Sequence, residues 1–272
     1  LMLTVVGKAL IPNLATVGQE RIALIRIEGP ILDSRTTVGE LQQFGEDPLV
    51  KAIVLRIDSP GGGVAPSQEI YNAVKRVRKN NQKTIVTSMG TIAASGGYYI
   101  AVASDRILAN PGTLTGSIGV IMQSANFEDL MEKIGIRNTV IKSGRYKDVG
   151  SPFRTMTDEE RHYLQSVMDD AHRQFIEAVA DGRSLDIADV EALADGRIFT
   201  GQQAKDALLV DELGDLQQAI TLAADMSGMK EHPPIVESQK PFSLREFLGN
   251  RWGATPALPI QTGLNLMYFM AL

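Results

Sequence analysis

Short runs of apolar, mostly branched residues alternate along this chain with longer stretches in which apolar residues recur every three or four positions. The runs predict buried β-strands because turn residues follow them, and they lie at 22–27, 52–57 and 84–89. The stretch 66–79 carries an apolar stripe of helical spacing and predicts a helix. Strands that alternate with helices in this way predict βαβ units and a mainly parallel sheet.

The alternation continues through the second half of the chain. We predict further strands at 106–108, 118–121 and 139–141, and helices at 93–103 and 127–134. Thr157 and Glu160 have the spacing of a capping box, and apolar residues continue the helix that they begin to about residue 180. Three more helices are predicted, at 187–194, 201–207 and 216–226.

These patterns divide the chain into three parts. We expect an N-terminal segment at 1–20, one α/β domain at 21–230 and a C-terminal tail at 231–272, where prolines and glycines increase and periodicity fades. The first ten residues are largely apolar but too few to span a bilayer, which needs about 20 residues. They are expected to be the stub of a removed membrane anchor or a first strand or helix.

Composition narrows the class of protein. The chain has 272 residues, of which 44% are hydrophobic and 22% charged, as in an ordinary globular domain. Its net charge of −5 and the lack of a basic stripe argue against a nucleic-acid partner. The absence of cysteine excludes disulfides, thiol nucleophiles and zinc–thiolate sites. We predict no metal site and no cofactor.

Ser95 lies in a run of alanines and glycines that opens a predicted helix. There its hydroxyl can be exposed to a substrate, while the N–H of Gly96 can donate to an oxyanion. Close packing of small residues between elements is the alternative explanation of the same run.

The run from Asp58 to Gly63 is a glycine-rich turn between a strand and a helix. Backbone N–H groups in such a turn can bind an anion or an oxyanion. The run lacks the lysine and hydroxyl residue of a phosphate-binding loop. A tight strand-to-helix connection is again the alternative.

A serine nucleophile needs a base, and the three histidines of the chain stand in a charged helical stretch or beside prolines. Lys147 lies 52 residues after Ser95 and is a candidate, because an uncharged lysine amine can act as a general base. That requires desolvation or hydrogen bonds that favour the uncharged amine. Ser117 could orient the amine. Alone, Lys147 also fits a solvated loop and Ser117 fits a turn.

Five separate motifs, in order and at matching spacing, resemble the bacterial signal peptide peptidase A family in its short form. They span about residues 20 to 228 and comprise Asp58–Gly63, Met89–Gly90, Ala93–Tyr99, Thr115–Val120 and Ser143–Lys147. The resemblance implies a ClpP/crotonase-like fold of repeated ββα units.

The resemblance also implies roles for individual residues. Ser95 would be the nucleophile and Lys147 the general base, with an oxyanion hole made by the N–H groups of Gly62 and Gly96 and with Ser117 holding the lysine. In short-form members the dyad is assembled between neighbouring subunits of a ring, so Ser95 and Lys147 would come from one chain or from two.

The resemblance finally implies a substrate and a place. Family members are tethered to the bacterial cytoplasmic membrane by an N-terminal anchor, face its extracytoplasmic side and degrade residual signal peptides and other apolar peptides. Glycine and alanine around Ser95 favour small or apolar side chains beside the cut. Two alternatives stay open, a crotonase-like acyl-CoA enzyme without a serine nucleophile and a non-catalytic ring scaffold.

Overall fold

The fold is built on a mostly parallel sheet whose central strands are apolar on both faces. The computed structural model describes residues 18–230, 232–238 and 267–269. The strands are β1 Arg21–Glu28, β2 Val50–Ser59, β3 Gly61–Gly63, β4 Thr84–Ala94, β5 Arg106–Ala109, β6 Leu114–Gly116, β7 Ile198–Thr200, β8 Glu212–Leu213, β9 Ile235–Glu237 and β10 Met267–Phe269. Within the described ranges the main sheet runs in the order β7-β6-β4-β2-β1-β9, and β5 and β8 continue it beside β4.

Helices cover both faces of this sheet. They are α1 Arg35–Glu46, α2 Val64–Asn81, α3 Gly96–Ala101, α4 Glu128–Lys133, α5 Asp158–Arg183, α6 Ile187–Leu193, α7 Gly201–Asp206 and α8 Leu216–Met226. Side chains alternate along β1 and β2, so that Ile25 and Leu55 enter the larger core while Leu24 and Val54 enter a smaller core under α8. Burial on both faces explains why these strands appear in the sequence as continuous apolar runs.

The α/β class predicted from the sequence is confirmed, and so are most of the predicted elements. The capping box at the start of α5 forms as predicted: the Thr157 side chain accepts from the N–H of Glu160, whose carboxylate accepts from the N–H of Thr157. None of the helices within the described part of the chain is long and apolar enough to cross a membrane.

Three predictions were wrong in detail. Residues 118–121 form no regular strand, since Ile121 makes a single bridge to Met267. Residues 139–141 form none either, and Ile141 is almost fully exposed. The predicted helix at 93–103 begins only at Gly96, because β4 continues to Ala94 by pairing with β6.

The two ends of the chain are described only in part. The predicted segment 1–20 lies almost wholly outside the described residues, as do 239–266 of the predicted tail. The described pieces of that tail contact the domain. Strand β9 extends the sheet beside β1, and β10 pairs antiparallel with β3.

Candidate active site

Strand β4 carries Ser95 to the point where two other strands end. It pairs with β2 along one edge and with β5 and then β6 along the other. The N–H of Ser95 donates to the carbonyl of Gly116 at 2.8 Å, and the chain then turns sharply, with Ser95 at φ 53° and ψ −116°. A non-glycine residue with a positive φ costs free energy, and such conformations concentrate at functional sites.

The hydroxyl of Ser95 is an exception among the buried polar groups of this protein. Ser95 is fully buried, and its Oγ has no hydrogen-bond partner among the described residues. Buried hydroxyls are nearly always paired, because an unpaired one loses its hydrogen bonds to water without compensation. The backbone therefore holds this oxygen in an energetically unfavourable position, in which no hydrogen bond to the described residues occupies its lone pairs or its proton.

Strand β3 lies directly against the turn at Ser95. A methyl group added to Gly96 would lie 2.5 Å from Ser67 Oγ and 3.2 Å from the nitrogen of Gly62, so the two glycine backbones are in close contact. Neighbouring donors on β3 are occupied: the N–H of Gly61 donates to Ser59 Oγ and that of Gly63 to the carbonyl of Ile31.

The arrangement at Ser95 can stabilise negative charge on a substrate oxygen. The Gly62 N–H faces away from Ile31, because successive peptide groups of an extended strand point to opposite edges. The backbone nitrogens of Gly62 and Gly96 are thus two donors near the turn at Ser95, with Tyr268 of β10 as the register partner of Gly62. Donors of this kind, fixed before the reaction, are effective for a developing oxyanion.

Neither Lys147 nor Ser117, the other two predicted site residues, makes a hydrogen bond to the Ser95 hydroxyl within the described part of the chain. Lys147 is exposed in the turn region 143–150, and no hydrogen bond or ion pair of its amine occurs within the described residues. Ser117 is buried at φ 50°, and its N–H donates to the carbonyl of Arg197. Within one chain, the structure therefore brings together Ser95, Gly62 and Gly96 but no Ser95–Lys147 pair.

The loop that carries Lys147 is tied to the start of α5 by Arg154. Its guanidinium donates to both carboxylate oxygens of Asp148, at 2.8 and 2.9 Å, and to both of Glu160, at 2.8 and 2.5 Å. Lys142 donates to Asp148 as well. These hydrogen bonds hold the pKa of Asp148 well below its usual range and lower that of Glu160 from 4.5 to about 2.

Arg154→Met is expected to destabilise the protein at neutral pH, because it leaves two carboxylates without their shared cation. Since the folded pKa of Glu160 is lowered, the stabilisation is complete above pH 4.5 and disappears as the pH falls towards about 2. Urea unfolding from pH 7 to pH 2 should show the difference between the two proteins shrinking in acid. Arg173→Met, which removes an exposed ion pair with Asp170, serves as the control. A difference independent of pH would contradict this account.

The site also contains a strand that the sequence did not indicate. Strand β10 lies along β3, with Tyr268 opposite Gly62, and Ile121 bridges its other edge through Met267. Ser67 and Ile31, which contact β3, were likewise missed, and Ser59 was noted only as part of the run from Asp58 to Gly63. Their signal in the sequence is weak, since single serines and a lone isoleucine occur in any loop.

A buried hydroxyl beside two backbone N–H groups, at the end of a strand in a mostly parallel sheet, suits enzymes that act on acyl groups. The model of peptidase family S49 matches residues 77–230, more than half of the chain. The chain belongs to peptidase family S49 and is a protease with the ClpP/crotonase-like fold of that family.

Several similar proteins carry protease names. A Synechocystis protein that is named as a proposed protease is 44% identical to this chain over 231 residues. These residues are 84% of this chain and 83% of the relative. An Enterococcus faecium protein that is named as a proposed signal peptide peptidase SppA is 41% identical over 181 residues. These residues are 66% of this chain and 52% of the relative. Protease 4 of Salmonella typhi is 35% identical over 219 residues, 77% of this chain and 35% of the relative.

Proposed function

We propose that this protein is a serine endopeptidase in which Ser95 is the nucleophile and Lys147 the general base. The observation that carries the proposal is the fully buried Ser95 hydroxyl, which has no partner among the described residues and lies beside the backbone of Gly62 and Gly96. A hydroxyl kept free of hydrogen bonds at an energetic cost is available to a base and to a substrate carbonyl.

The reaction would proceed through an acyl-enzyme. The uncharged amine of Lys147 takes the proton of Ser95 as Oγ attacks the peptide carbonyl, and the N–H groups of Gly62 and Gly96 stabilise the oxyanion. The lysine then gives the proton to the leaving amine as the peptide bond breaks. Water, deprotonated by the same lysine, attacks the ester, and Ser95 recovers its proton when the acid product leaves.

A second copy of the chain would supply the lysine. Lys147 is exposed on a loop, and the adjoining stretch presents large apolar side chains to solvent, namely Phe127, Leu130, Ile134, Ile136, Val140 and Ile141. Exposed apolar area of this extent is typical of a protein–protein interface. Burial of the loop against a neighbour would also remove water from the amine and favour its uncharged form. Head-to-tail contacts of this kind close into rings.

The substrates would be residual signal peptides and other apolar peptides, and the protein would act at the extracytoplasmic side of a bacterial cytoplasmic membrane. This part of the proposal depends on the resemblance to signal peptide peptidase A and on the name of the Enterococcus relative. Ser117, at the end of β6, would orient the lysine amine once the neighbouring chain is in place.

The proposal is tested by co-expressing Ser95→Ala and Lys147→Ala chains with different tags and measuring hydrolysis of an apolar, signal-peptide-like substrate. Each variant alone is expected to be inactive. The co-expressed mixture should recover about a quarter of wild-type activity, because half of the sites have an intact serine and half of their neighbours an intact lysine.

Other results would favour a different arrangement of the dyad or a different function. An inactive mixture of inactive variants would place both residues of the dyad in one chain. Undiminished activity of either variant would contradict the serine–lysine mechanism and, with an acyl-CoA substrate, would favour the crotonase-like alternative. A wild-type protein that assembles but hydrolyses nothing would be the ring scaffold.

A further inference from the structure

We propose that Ser59 is a positioning residue of the active site, and that its hydroxyl fixes the direction of the Gly62 N–H relative to Ser95. The inference rests on the proposed peptidase function. It adds a residue that does not touch the substrate but on which the rate of the reaction depends.

Ser59 is buried where strand β2 ends beside the turn at Ser95. Its side chain is fully buried, and its register partner on β4 is Ala93, two residues before Ser95. A methyl group added to Gly97 would lie 3.0 Å from the carbonyl oxygen of Ser59, so the Ser59 backbone packs against the start of α3. Ser59 therefore adjoins the segment that carries the proposed nucleophile.

The Ser59 hydroxyl makes two hydrogen bonds whose directions are fixed. It donates to the carbonyl of Gly29 at 2.6 Å and accepts from the N–H of Gly61 at 3.1 Å. A carbonyl can only accept and an N–H can only donate, so the hydroxyl cannot exchange these two roles. Ser59 thus ties the end of β1 to the beginning of β3.

Strand β3 consists of three glycines and depends on outside contacts for its conformation. Glycine restricts the backbone less than any other residue, and Gly61 has a φ of 100°. The carbonyl of Gly61 accepts from the N–H of Ile31 at 2.8 Å, which holds the planar peptide group that also contains the Gly62 N–H. The preceding peptide group is held by Ser59. Both peptide groups that flank the α-carbon of Gly61 are therefore fixed by hydrogen bonds.

Removal of the Ser59 hydroxyl would release the first of these peptide groups. Gly61 could then rotate about its backbone bonds and turn the Gly62 N–H away from its direction beside Gly96. An oxyanion donor is effective only while it points at the place where charge develops. A displacement of about 1 Å at such a group can lower the rate about 100-fold. Binding of the uncharged substrate depends less on this direction, because the oxyanion forms only in the transition state.

The first experiment compares Ser59→Ala with the wild-type protein in steady-state hydrolysis of an apolar, signal-peptide-like substrate. We expect kcat to fall by about 10- to 100-fold while KM changes by less than about threefold. A peptide boronic acid, which adds to Ser95 Oγ and becomes a tetrahedral anion, should bind the variant more weakly by a similar factor. An unchanged kcat, or a loss confined to KM, would overturn the inference.

Two more variants separate positioning from a general loss of stability. Ser104→Ala removes another buried serine hydroxyl, which is paired with Thr87 at 2.6 Å, and it should keep kcat. Ser59→Cys keeps a group that donates and accepts weakly, so its kcat should fall less than that of Ser59→Ala. If Ser59→Ala does not fold, Ser59→Cys is compared with wild type instead. A lower kcat at the same KM then supports the inference, and an unchanged kcat contradicts it.

Hydrogen exchange separates this inference from the peptidase assignment. In Ser59→Ala the amides of residues 61–63 should exchange faster than in wild type or in Ser104→Ala, because the Gly61 N–H has lost its acceptor. If they do so but the wild-type protein hydrolyses no peptide, the hold of Ser59 on β3 is supported and the proposed function fails. If the wild type hydrolyses peptides and Ser59→Ala has the same kcat, the proposed function stands and the positioning role fails.

Discussion

Ser95→Ala is expected to lower kcat/KM for peptide hydrolysis by at least about 1,000-fold while the protein remains folded. The hydroxyl has no partner among the described residues, so its removal breaks no hydrogen bond and leaves no other group unsatisfied. Alanine is no larger than serine and meets the same backbone strain at φ 53°. Peptidase kinetics together with thermal unfolding would separate lost chemistry from lost structure.

Ser104→Ala is the matched control for that variant. Ser104 is also a buried serine, but its hydroxyl is paired with Thr87 at 2.6 Å. Its loss should cost about 1–3 kcal/mol of stability, because the Thr87 hydroxyl is left unpaired, and activity should persist. Ser95→Ala is therefore expected to lose activity and keep its stability, whereas Ser104→Ala is expected to lose stability and keep its activity. A Ser95→Ala protein with substantial activity would remove Ser95 from the mechanism.

Gly96→Ala is expected to lower kcat by about 100- to 1,000-fold, the usual effect of losing one oxyanion donor. The added methyl would lie 2.5 Å from Ser67 Oγ and 3.2 Å from the nitrogen of Gly62, so it would push the start of α3 away from α2 and β3. Steady-state kinetics should show most of the loss in kcat, because the donors act on the transition state.

Two further variants test whether the loss of activity in Gly96→Ala comes from its position beside Ser95. Gly39→Ala adds a methyl group in helix α1 where nothing lies within 4 Å, and it should leave activity unchanged. Ser67→Ala combined with Gly96→Ala removes the nearest collision and should recover part of the lost rate. Full activity of Gly96→Ala alone would show that the backbone at this position does not take part in the reaction.

The parts of the fold that the sequence predicted are those in which local pattern and tertiary role agree. Strands β1, β2 and β4 are apolar because both faces are buried, and α5 has a capping box at its start. Helix α1 was missed because it is mostly polar, contains two glycines and buries only Leu41, Phe44 and Gly45. Strands β3 and β6 were missed because each has only three residues, with glycines that favour no strand.

The candidate site shows the same division. The segments around Ser95 and Gly62 could be chosen as candidates because each is a short motif of small residues, although the strand at Gly61–Gly63 and the start of the helix at Gly96 were not predicted. The cluster of aromatic rings next to β3 was not, because Tyr99, Phe175 and Tyr268 are far apart in the chain and each is an ordinary core residue by itself. Lys147 stays a prediction, because its assigned partner is expected on another copy of the chain.

The register in which the long strand β4 pairs with its neighbours decides which residue occupies the position of Ser95. Its edge is divided between β5, which pairs at Val86–Ser88, and β6, which pairs at Ile92–Ala94, immediately before Ser95. A chain that paired β4 with β6 one residue out of step would bring Ala94 or Gly96 to the place of Ser95 and would turn the alternate side chains to the wrong face. Such a molecule would be compact but inactive. The fraction of active molecules in a preparation therefore depends on how many chains have paired β4 and β6 in the correct register, as well as on how many have folded.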